Sequence, residues 1–86
     1  MRLQFSEPFM EDYAELPREI KKRTDKQLHF LLSNLRHPSL QTRKLTKDPM
    51  GRTWYARITR DYRFTFEIKG DVYFLRRIGK HKLIEK

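Results

Sequence analysis

Cysteine is absent from the 86-residue chain, and glycine and proline are scarce, with three and four residues respectively. Without cysteine there is no disulfide framework and no thiolate metal site. The three histidines are too far apart along the chain to match a metal-ligand motif. The sequence therefore predicts a protein that works in a reducing compartment without a metal ion or other cofactor.

Long apolar runs are also absent. No stretch approaches the roughly 20 apolar residues of a membrane-spanning helix, and the N-terminus lacks the apolar segment of a signal peptide. A chain this short has room for one hydrophobic core. We therefore expect a single domain over residues 1–86, located in the cytoplasm and without a membrane partner.

Positive charge dominates the composition, since 20 Lys and Arg against 11 Asp and Glu give a net charge of +9. Residues 1–16 are acidic on balance, so the positive excess lies in residues 17–86. This imbalance favours a polyanion as partner. An acidic protein segment is a second, compatible expectation, and a merely solvated basic surface is the third.

Two helices are predicted in the N-terminal half. Ser6-Glu7-Pro8 has the N-cap and first-turn residues of a helix, and Pro17 suits the start of a longer one. The apolar side of the longer helix, at spacings of three and four, comprises Ile20, Thr24, Leu28, Leu31, Leu32 and Leu35. Its opposite side, predicted to face solvent, comprises Lys21, Lys22, Arg23, Lys26 and Gln27.

Strands are predicted in the remainder of the chain. Residues 53–68 alternate between apolar and polar, the period of strands with one buried face. The apolar run 72–78 is typical of a central strand buried on both faces, and Lys69-Gly70-Asp71 before it forms a hairpin turn. With an edge strand at 2–5 and a short strand at 43–45, the order is β-α-α-β-β-β-β. The prediction is an α+β fold with two helices on one face of an antiparallel sheet.

The register of the first hairpin places two arginines opposite each other. Directly opposed residues share a face, so the apolar residues of both strands meet only if the paired residue numbers sum to an even value. The simplest such register has a short loop around Arg60 and pairs Ala56 with Phe64. Arg57 then lies opposite Arg63, which is unfavourable unless an anion such as phosphate binds between the two planar guanidinium groups. The alternative is two solvated arginines that splay apart.

Several short motifs occur in a defined order along the chain. They are Leu16-Pro17, His37-Pro38-Ser39-Leu40, Lys44-Leu45, Trp54 with Arg57-Ile58, Asp61-Tyr62-Arg63-Phe64, Gly70-Asp71, and Arg77-Ile78-Gly79 with His81. This ordered set resembles the RelE/ParE superfamily of bacterial type II toxin–antitoxin systems. The resemblance implies a curved antiparallel sheet flanked by two helices, and a cognate antitoxin as protein partner.

The resemblance also implies one of two activities. RelE-like and YoeB-like members are endoribonucleases that cleave mRNA on the translating ribosome, whereas ParE-like members inhibit DNA gyrase without that catalytic set. Residues 54–64 are similar to the YoeB-like pattern, whose catalytic positions fall on Arg57, Asp61 and Arg63. The histidine near the C-terminus of YoeB-like and YafQ-like toxins falls close to His81.

Metal-independent RNA cleavage needs a 2′-hydroxyl to attack the adjacent phosphate. Arg57 and Arg63 would stabilise the charge of the pentavalent phosphorane, and His81 is the best proton donor to the leaving 5′-oxygen. Asp61 would be the base or would orient Arg63. Residues predicted to bind RNA, by backbone contacts or by stacking on a base, are Arg43, Lys44, Lys47, Tyr55, Arg60, Arg77 and Lys80.

The predicted function is thus a ribosome-dependent mRNA endonuclease that inhibits translation. Its expected partners are mRNA on the ribosome, with contacts to 16S ribosomal RNA, and an antitoxin with an acidic or amphipathic segment that covers the basic sheet. A ParE-like gyrase inhibitor is the alternative, and a non-toxic RNA-binding domain is the third hypothesis.

Overall fold

The computed structural model describes residues 1–81, so residues 82–86 of the predicted domain lie outside the described residues. The chain forms two helices and five strands in the predicted order. Their bounds are β1 Arg2–Phe5, α1 Glu7–Ala14, α2 Arg18–Ser33, β2 Arg43–Lys44, β3 Thr53–Arg57, β4 Tyr62–Lys69 and β5 Val72–Lys80. The predicted α+β class is confirmed.

The five strands form one sheet in the order β1-β5-β4-β3-β2. The meander from β2 to β5 is antiparallel, but β1 pairs with β5 in parallel, with Arg2 opposite Val72 and Phe5 opposite Leu75. The prediction of a wholly antiparallel sheet is therefore wrong, and the sheet is mixed. The two helices carry the chain from β1 at one edge of the sheet to β2 at the other. Because no hairpin turn joins β1 to its neighbour β5, their pairing is not required to be antiparallel. β5 lies between β1 and β4, so it is an interior strand of the sheet.

One face of the sheet packs against both helices. The core formed there draws Phe9 from α1 and Leu28 and Leu31 from α2, and its sheet members are Ala56, Phe64, Phe66, Tyr73, Leu75 and Ile78. Its members on β3 and β4, Ala56, Phe64 and Phe66, belong to the apolar set predicted from the alternation. The helices therefore cover one face only, and we call the opposite face, which carries Arg57 and Arg63, the open face.

Ser6 begins α1 and also joins it to the sheet. Its hydroxyl accepts a hydrogen bond from the Phe9 N–H at 3.1 Å, the N-cap contact that the sequence predicts. The same hydroxyl donates to the carbonyl of Arg76 at 2.9 Å. Helix α1 is thereby fixed against β5 at the point where β1 ends.

The two sides of α2 differ from the prediction at two residues. Gln27, expected on the solvent side, is only 4% exposed, whereas Leu32, expected in the core, is 41% exposed. Gln27 is three residues after Thr24 and four before Leu31, so it lies in the middle of the buried stripe despite its polarity. The apolar pattern assigned the wrong side because it classified Gln27 by chemistry and not by its angular position on the helix.

A β-bulge interrupts the pairing of β4 with β5. Thr65 lies opposite Arg77 and Phe66 lies opposite Leu75, so Arg76 is the extra residue. Beyond Leu75 the predicted two-sided burial of β5 fails, since Arg76 and Arg77 are exposed. The bulge brings these two consecutive arginines of β5 next to the open face.

Candidate functional site

Arg57 and Arg63 form the centre of the candidate site. They are directly opposite each other on β3 and β4, in the predicted register, and Gly79 of β5 lies on the other side of Arg63. Opposed residues of an antiparallel pair have Cα atoms about 4.5–5.5 Å apart. The side chains of the two half-buried arginines therefore extend from neighbouring positions of the sheet. Glycine adds no side chain there, so the pair is not covered at this position of β5.

The guanidinium group of Arg63 is held by the loop between β3 and β4. Its Nη1 donates to the main-chain carbonyls of Thr59 at 2.6 Å, Arg60 at 3.1 Å and Tyr62 at 3.0 Å. The loop is closed by the Thr59 hydroxyl, which accepts from the Tyr62 N–H at 3.3 Å. Main-chain carbonyls thus supply the orientation of Arg63 for which the Asp61 carboxylate was one candidate.

Asp61 and His81 meet through their main chains. The N–H of His81 donates to the carbonyl of Asp61 at 2.7 Å, so the end of β5 is fastened to the β3–β4 loop. His81 is half-buried and lies two positions beyond Gly79, the partner of Arg63. The structure therefore brings all four predicted catalytic residues to one end of the sheet, around the Arg57–Arg63 pair.

Three of the predicted RNA-binding residues lie in one row across the open face. Arg43 pairs with Tyr55, Tyr55 with Thr65, and Thr65 with Arg77, so their side chains share a face with Arg57 and Arg63. The other four do not join this row. Lys44 has its Nζ 5.3 Å from the ring centre of Trp54, and Lys80 pairs with Tyr62, which places both on the helix side of the sheet.

The remaining two predicted RNA-binding residues are in loops. Lys47 lies in the exposed turn before β3, and Arg60 lies at the tip of the β3–β4 loop, beside the Arg57–Arg63 pair. Arg60 therefore belongs to the candidate site by position, whereas Lys47 lies at the opposite end of β3.

Asp12 contributes to the site, although no role was predicted for it from the sequence. Asp12 belongs to α1 and lies beside the part of β5 that is not paired with β1. Its carboxylate accepts a hydrogen bond from the Ile78 N–H at 2.9 Å and forms an ion pair with Arg77 through two contacts of 2.8 and 3.1 Å. Burial raises the pKa of Asp12, but the hydrogen bonds from Arg77 and Ile78 outweigh this and lower it overall. Arg77 is therefore fixed by a fork-shaped ion pair beside the open face.

Gln27 is the second residue that sequence reasoning missed. Its side-chain amide donates to the carbonyl of Arg57 at 2.6 Å and to that of Ser39 at 3.0 Å, and its oxygen accepts from the Ser39 hydroxyl at 3.0 Å. The Arg57 N–H in turn donates to Leu40 at 2.7 Å. The N–H and the carbonyl of Arg57 are thus both hydrogen-bonded to groups outside β3. The position of Gln27 within the apolar stripe of α2 was the sequence signal that could have identified it.

Asp48 shapes the loop that borders the open face. Its carboxylate accepts from the backbone N–H groups of Met50, Arg52 and Thr53 at 2.7 to 3.0 Å. Hydrogen bonds from the Thr53 side chain and then from these N–H groups lower the pKa of Asp48 to about 2. The loop forms one wall of a groove of about 490 Å³, whose opposite wall is the 76–79 segment of β5.

The described residues hold no cluster of three or more His, Asp or Glu side chains suited to a metal ion. Neither helix within residues 1–81 has both the length and the apolar character needed to cross a bilayer. The side chains that meet at the candidate site carry guanidinium, imidazole, carboxylate and hydroxyl groups.

Residues 3–84 match the family described as the ParE toxin of type II toxin–antitoxin system, parDE. The chain belongs to the ParE toxin family. The predicted membership of the RelE/ParE superfamily is thereby confirmed, and the chain is a toxin of a toxin–antitoxin system. No curated protein sequence matches the chain.

Solved toxin structures share the fold of this ParE-family chain. The YoeB/ParE toxin from Agrobacterium tumefaciens superposes with a TM-score of 0.79 at 17% identity, over 94% of this chain and 99% of that one. YafQ from E. coli strain BL21(DE3) gives 0.78 at 12% identity, over 98% and 97%. The RelB-RelE antitoxin-toxin complex from Methanococcus jannaschii gives 0.74 at 23% identity, over 93% and 92%. At these identities the likeness shows the fold.

The Asp48 loop of this ParE-family toxin gives a pH prediction. Because the folded pKa of about 2 is below the usual 3.8, its contribution to stability is complete above about pH 4 and is lost as the pH falls through 2. Asp48→Asn should lower Tm at pH 7 and reduce the loss of Tm between pH 4 and pH 2, as measured by circular dichroism. Asp71→Asn, the same charge change in an exposed turn, is the control. Equal acid sensitivity of Asp48→Asn and the wild type would contradict the prediction.

Proposed function

We propose that this toxin cleaves mRNA on the ribosome without a metal ion. The observation that supports this most strongly is the Arg57–Arg63 pair, two arginines at directly opposed positions of β3 and β4 on the open face. Like charges so placed cost stability unless an anion is bound. A phosphate diester between them would remove that cost, because each guanidinium presents paired donors to phosphate oxygens.

The reaction is an internal transesterification. The 2′-oxygen gives up its proton, attacks the neighbouring phosphorus and forms a cyclic phosphate, while the bond to the 5′-oxygen breaks. Arg57 and Arg63 stabilise the extra charge on the phosphorane, and His81 protonates the leaving oxygen. Since carbonyl groups already orient Arg63, we assign the exposed Asp61 carboxylate as acceptor of the 2′-hydroxyl proton.

RNA binding and antitoxin binding are further parts of the proposal. Arg43, Tyr55 and Arg77 extend the basic row from the Arg57–Arg63 pair across the sheet, and would hold the mRNA and 16S ribosomal RNA through phosphate contacts and stacking. One structural relative is an antitoxin–toxin complex, which supports a cognate antitoxin here. We propose that an acidic segment of that antitoxin covers the open face.

Inhibition of DNA gyrase is the second candidate, because the matching family is that of ParE toxins. The two activities are expected to act on different molecules in the cell, mRNA in one case and DNA through gyrase in the other. Expression of the chain alone, with transcript 5′ ends mapped during growth arrest and a DNA-damage reporter measured in parallel, separates them.

The nuclease proposal expects new transcript ends within translated regions and a silent damage reporter. In a reconstituted reaction it expects cleavage of ribosome-bound mRNA in preference to the same mRNA free in solution. Intact transcripts with an induced damage reporter would instead select gyrase inhibition. Unimpaired growth would select the non-toxic RNA-binding domain.

A further inference from the structure

A second basic surface adjoins the open face at Arg57, between α2 and the end of β3. Two adjoining grooves of about 630 and 350 Å³ meet there and share Arg23, Ser39 and Ile58. We call this surface the α2 groove and define it by Lys22, Arg23, Lys26, Ser39, Arg57 and Arg60. The volume of the α2 groove is within the range of ligand-binding sites. The basic residues of α2 were evident from the sequence, but the groove that they form with the end of β3 was not.

The charges of the α2 groove are unbalanced. Five of its six defining side chains are cationic, whereas Glu19 is the acid that lines it among residues 1–81. Glu19 is 4.0 Å from Lys22, and both side chains are more than 60% exposed, so the pair is weak. The groove therefore presents a strong excess of positive charge, which raises the local concentration of anions.

The cations are arranged along the groove and not at one point. Lys22 and Lys26 are separated by one turn of α2, a rise of about 6 Å, and Arg23 lies between them. Arg57 and Arg60 line the groove from the opposite wall. A line of positive charges between two walls suits a chain of phosphates better than a single anion.

The α2 groove is continuous with the Arg57–Arg63 pair, because Arg57 lines one and belongs to the other. Its walls are joined by Gln27, which reaches from α2 to the carbonyls of Ser39 and Arg57. Gln41 at the groove has a φ of 47°, a left-handed conformation that is strained for a residue other than glycine. The hydrogen bonds of Gln27 to Ser39 and Arg57 hold the two walls of the groove together.

We propose that the α2 groove binds the sugar–phosphate backbone of the RNA strand next to the scissile phosphate. This inference rests on the proposed nuclease function, which places a phosphate between Arg57 and Arg63. A strand leaving that position past Arg57 enters the groove directly, and the cations there contact its successive phosphates. Recognition is by charge, so it extends the bound strand without selecting its sequence.

The test compares charge reversals at two residues of α2. Arg23→Glu changes the groove, whereas Lys21→Glu makes a similar charge change at a residue whose Nζ lies 5.7 Å from the Tyr13 ring centre, toward α1. The probe is a fluorescent single-stranded RNA with 2′-O-methyl groups throughout, which no 2′-hydroxyl attack can cleave. Affinity is measured by anisotropy between 50 and 200 mM salt, after thermal melting shows that each variant is folded.

Arg23→Glu is expected to weaken binding about tenfold at the lower salt and to reduce the slope of log affinity against log salt by about 0.7. Lys21→Glu should change the affinity and the salt slope by only a small fraction of the changes in Arg23→Glu. Equal losses in both variants, or no binding by the wild type, would overturn the proposal. So would unchanged RNA affinity of Arg23→Glu together with escape from an antitoxin, since an acidic protein segment would then be the occupant.

The binding measurement, combined with the cleavage assay on ribosome-bound mRNA, separates this inference from the proposed function. If the wild type binds the RNA through the α2 groove but cleaves no ribosome-bound mRNA, the nuclease proposal fails and the groove remains. If the wild type cleaves mRNA while Arg23→Glu keeps full affinity and KM, the groove fails and the nuclease proposal remains.

Discussion

Replacing Arg63 with alanine is expected to lower the rate of mRNA cleavage by about 10²- to 10³-fold. Arg63 lies opposite Arg57, and its guanidinium is oriented in advance by three carbonyl groups of the β3–β4 loop. Such an arrangement needs no reorganisation when charge develops on the phosphorane. The loss should therefore be in kcat, measured in single-turnover reactions on ribosomes programmed with mRNA.

Two further variants make the Arg63 prediction specific. Arg63→Lys keeps the positive charge but loses the planar fork that holds carbonyls and phosphate together, so it should recover little of the activity. Lys69→Ala removes a positive charge at the far end of the same strand, about 20 Å away, and should leave kcat unchanged. Full activity of Arg63→Lys would show that charge alone suffices, and full activity of Arg63→Ala would remove Arg63 from the mechanism.

Gln27→Leu is expected to lower the free energy of unfolding by about 3 kcal/mol and Tm by roughly 10–20 °C. Leucine nearly preserves the volume of the buried side chain, so packing changes little. It cannot pair with the carbonyls of Arg57 and Ser39 or with the Ser39 hydroxyl. Buried polar groups that lose their partners account for the cost. Urea unfolding followed by circular dichroism measures the difference.

The Gln27 variant should also affect activity, because the Arg57 carbonyl is released and the side chain of Arg57 is less precisely placed. Under conditions where the variant is fully folded, we expect kcat to fall with little change in KM. Gln4→Leu, the same substitution at an exposed position on β1, should change the free energy of unfolding by less than about 0.5 kcal/mol. If Gln27→Leu is as stable and as active as Gln4→Leu, the hydrogen bonds of Gln27 contribute neither to the stability of the fold nor to the placement of Arg57.

Alternation and parity were enough to predict the central pairing. Side chains on a strand change face at every residue, so the shared buried face of Ala56 and Phe64 limits the pairing to residues whose numbers sum to an even value. The shortest loop around Arg60 that meets this condition then places Arg57 opposite Arg63. The Ser6 N-cap and the Gly70-Asp71 turn were likewise predictable, because each depends on contacts between residues close together in the chain. In the turn, Gly70 has a φ of 60°, which glycine adopts readily.

Contacts between distant parts of the chain were not predictable in this way. The polar side chain of Gln27 is buried because the Arg57 and Ser39 carbonyls meet it there. Asp12 acts on Arg77 across 65 residues, because α1 occupies the edge of β5 that β1 leaves unpaired. Neither partner is apparent from local composition.

The sequence by itself determined the order of the elements, the face on which the arginines lie and the pairing of Arg57 with Arg63, because these follow from local periodicity and turn chemistry. Only the tertiary structure decided that β1 runs parallel to β5, that main-chain carbonyls orient Arg63, and that α2 and the end of β3 enclose a second basic groove. Those features depend on how elements far apart in the chain approach one another, and periodicity along the chain carries no record of that approach.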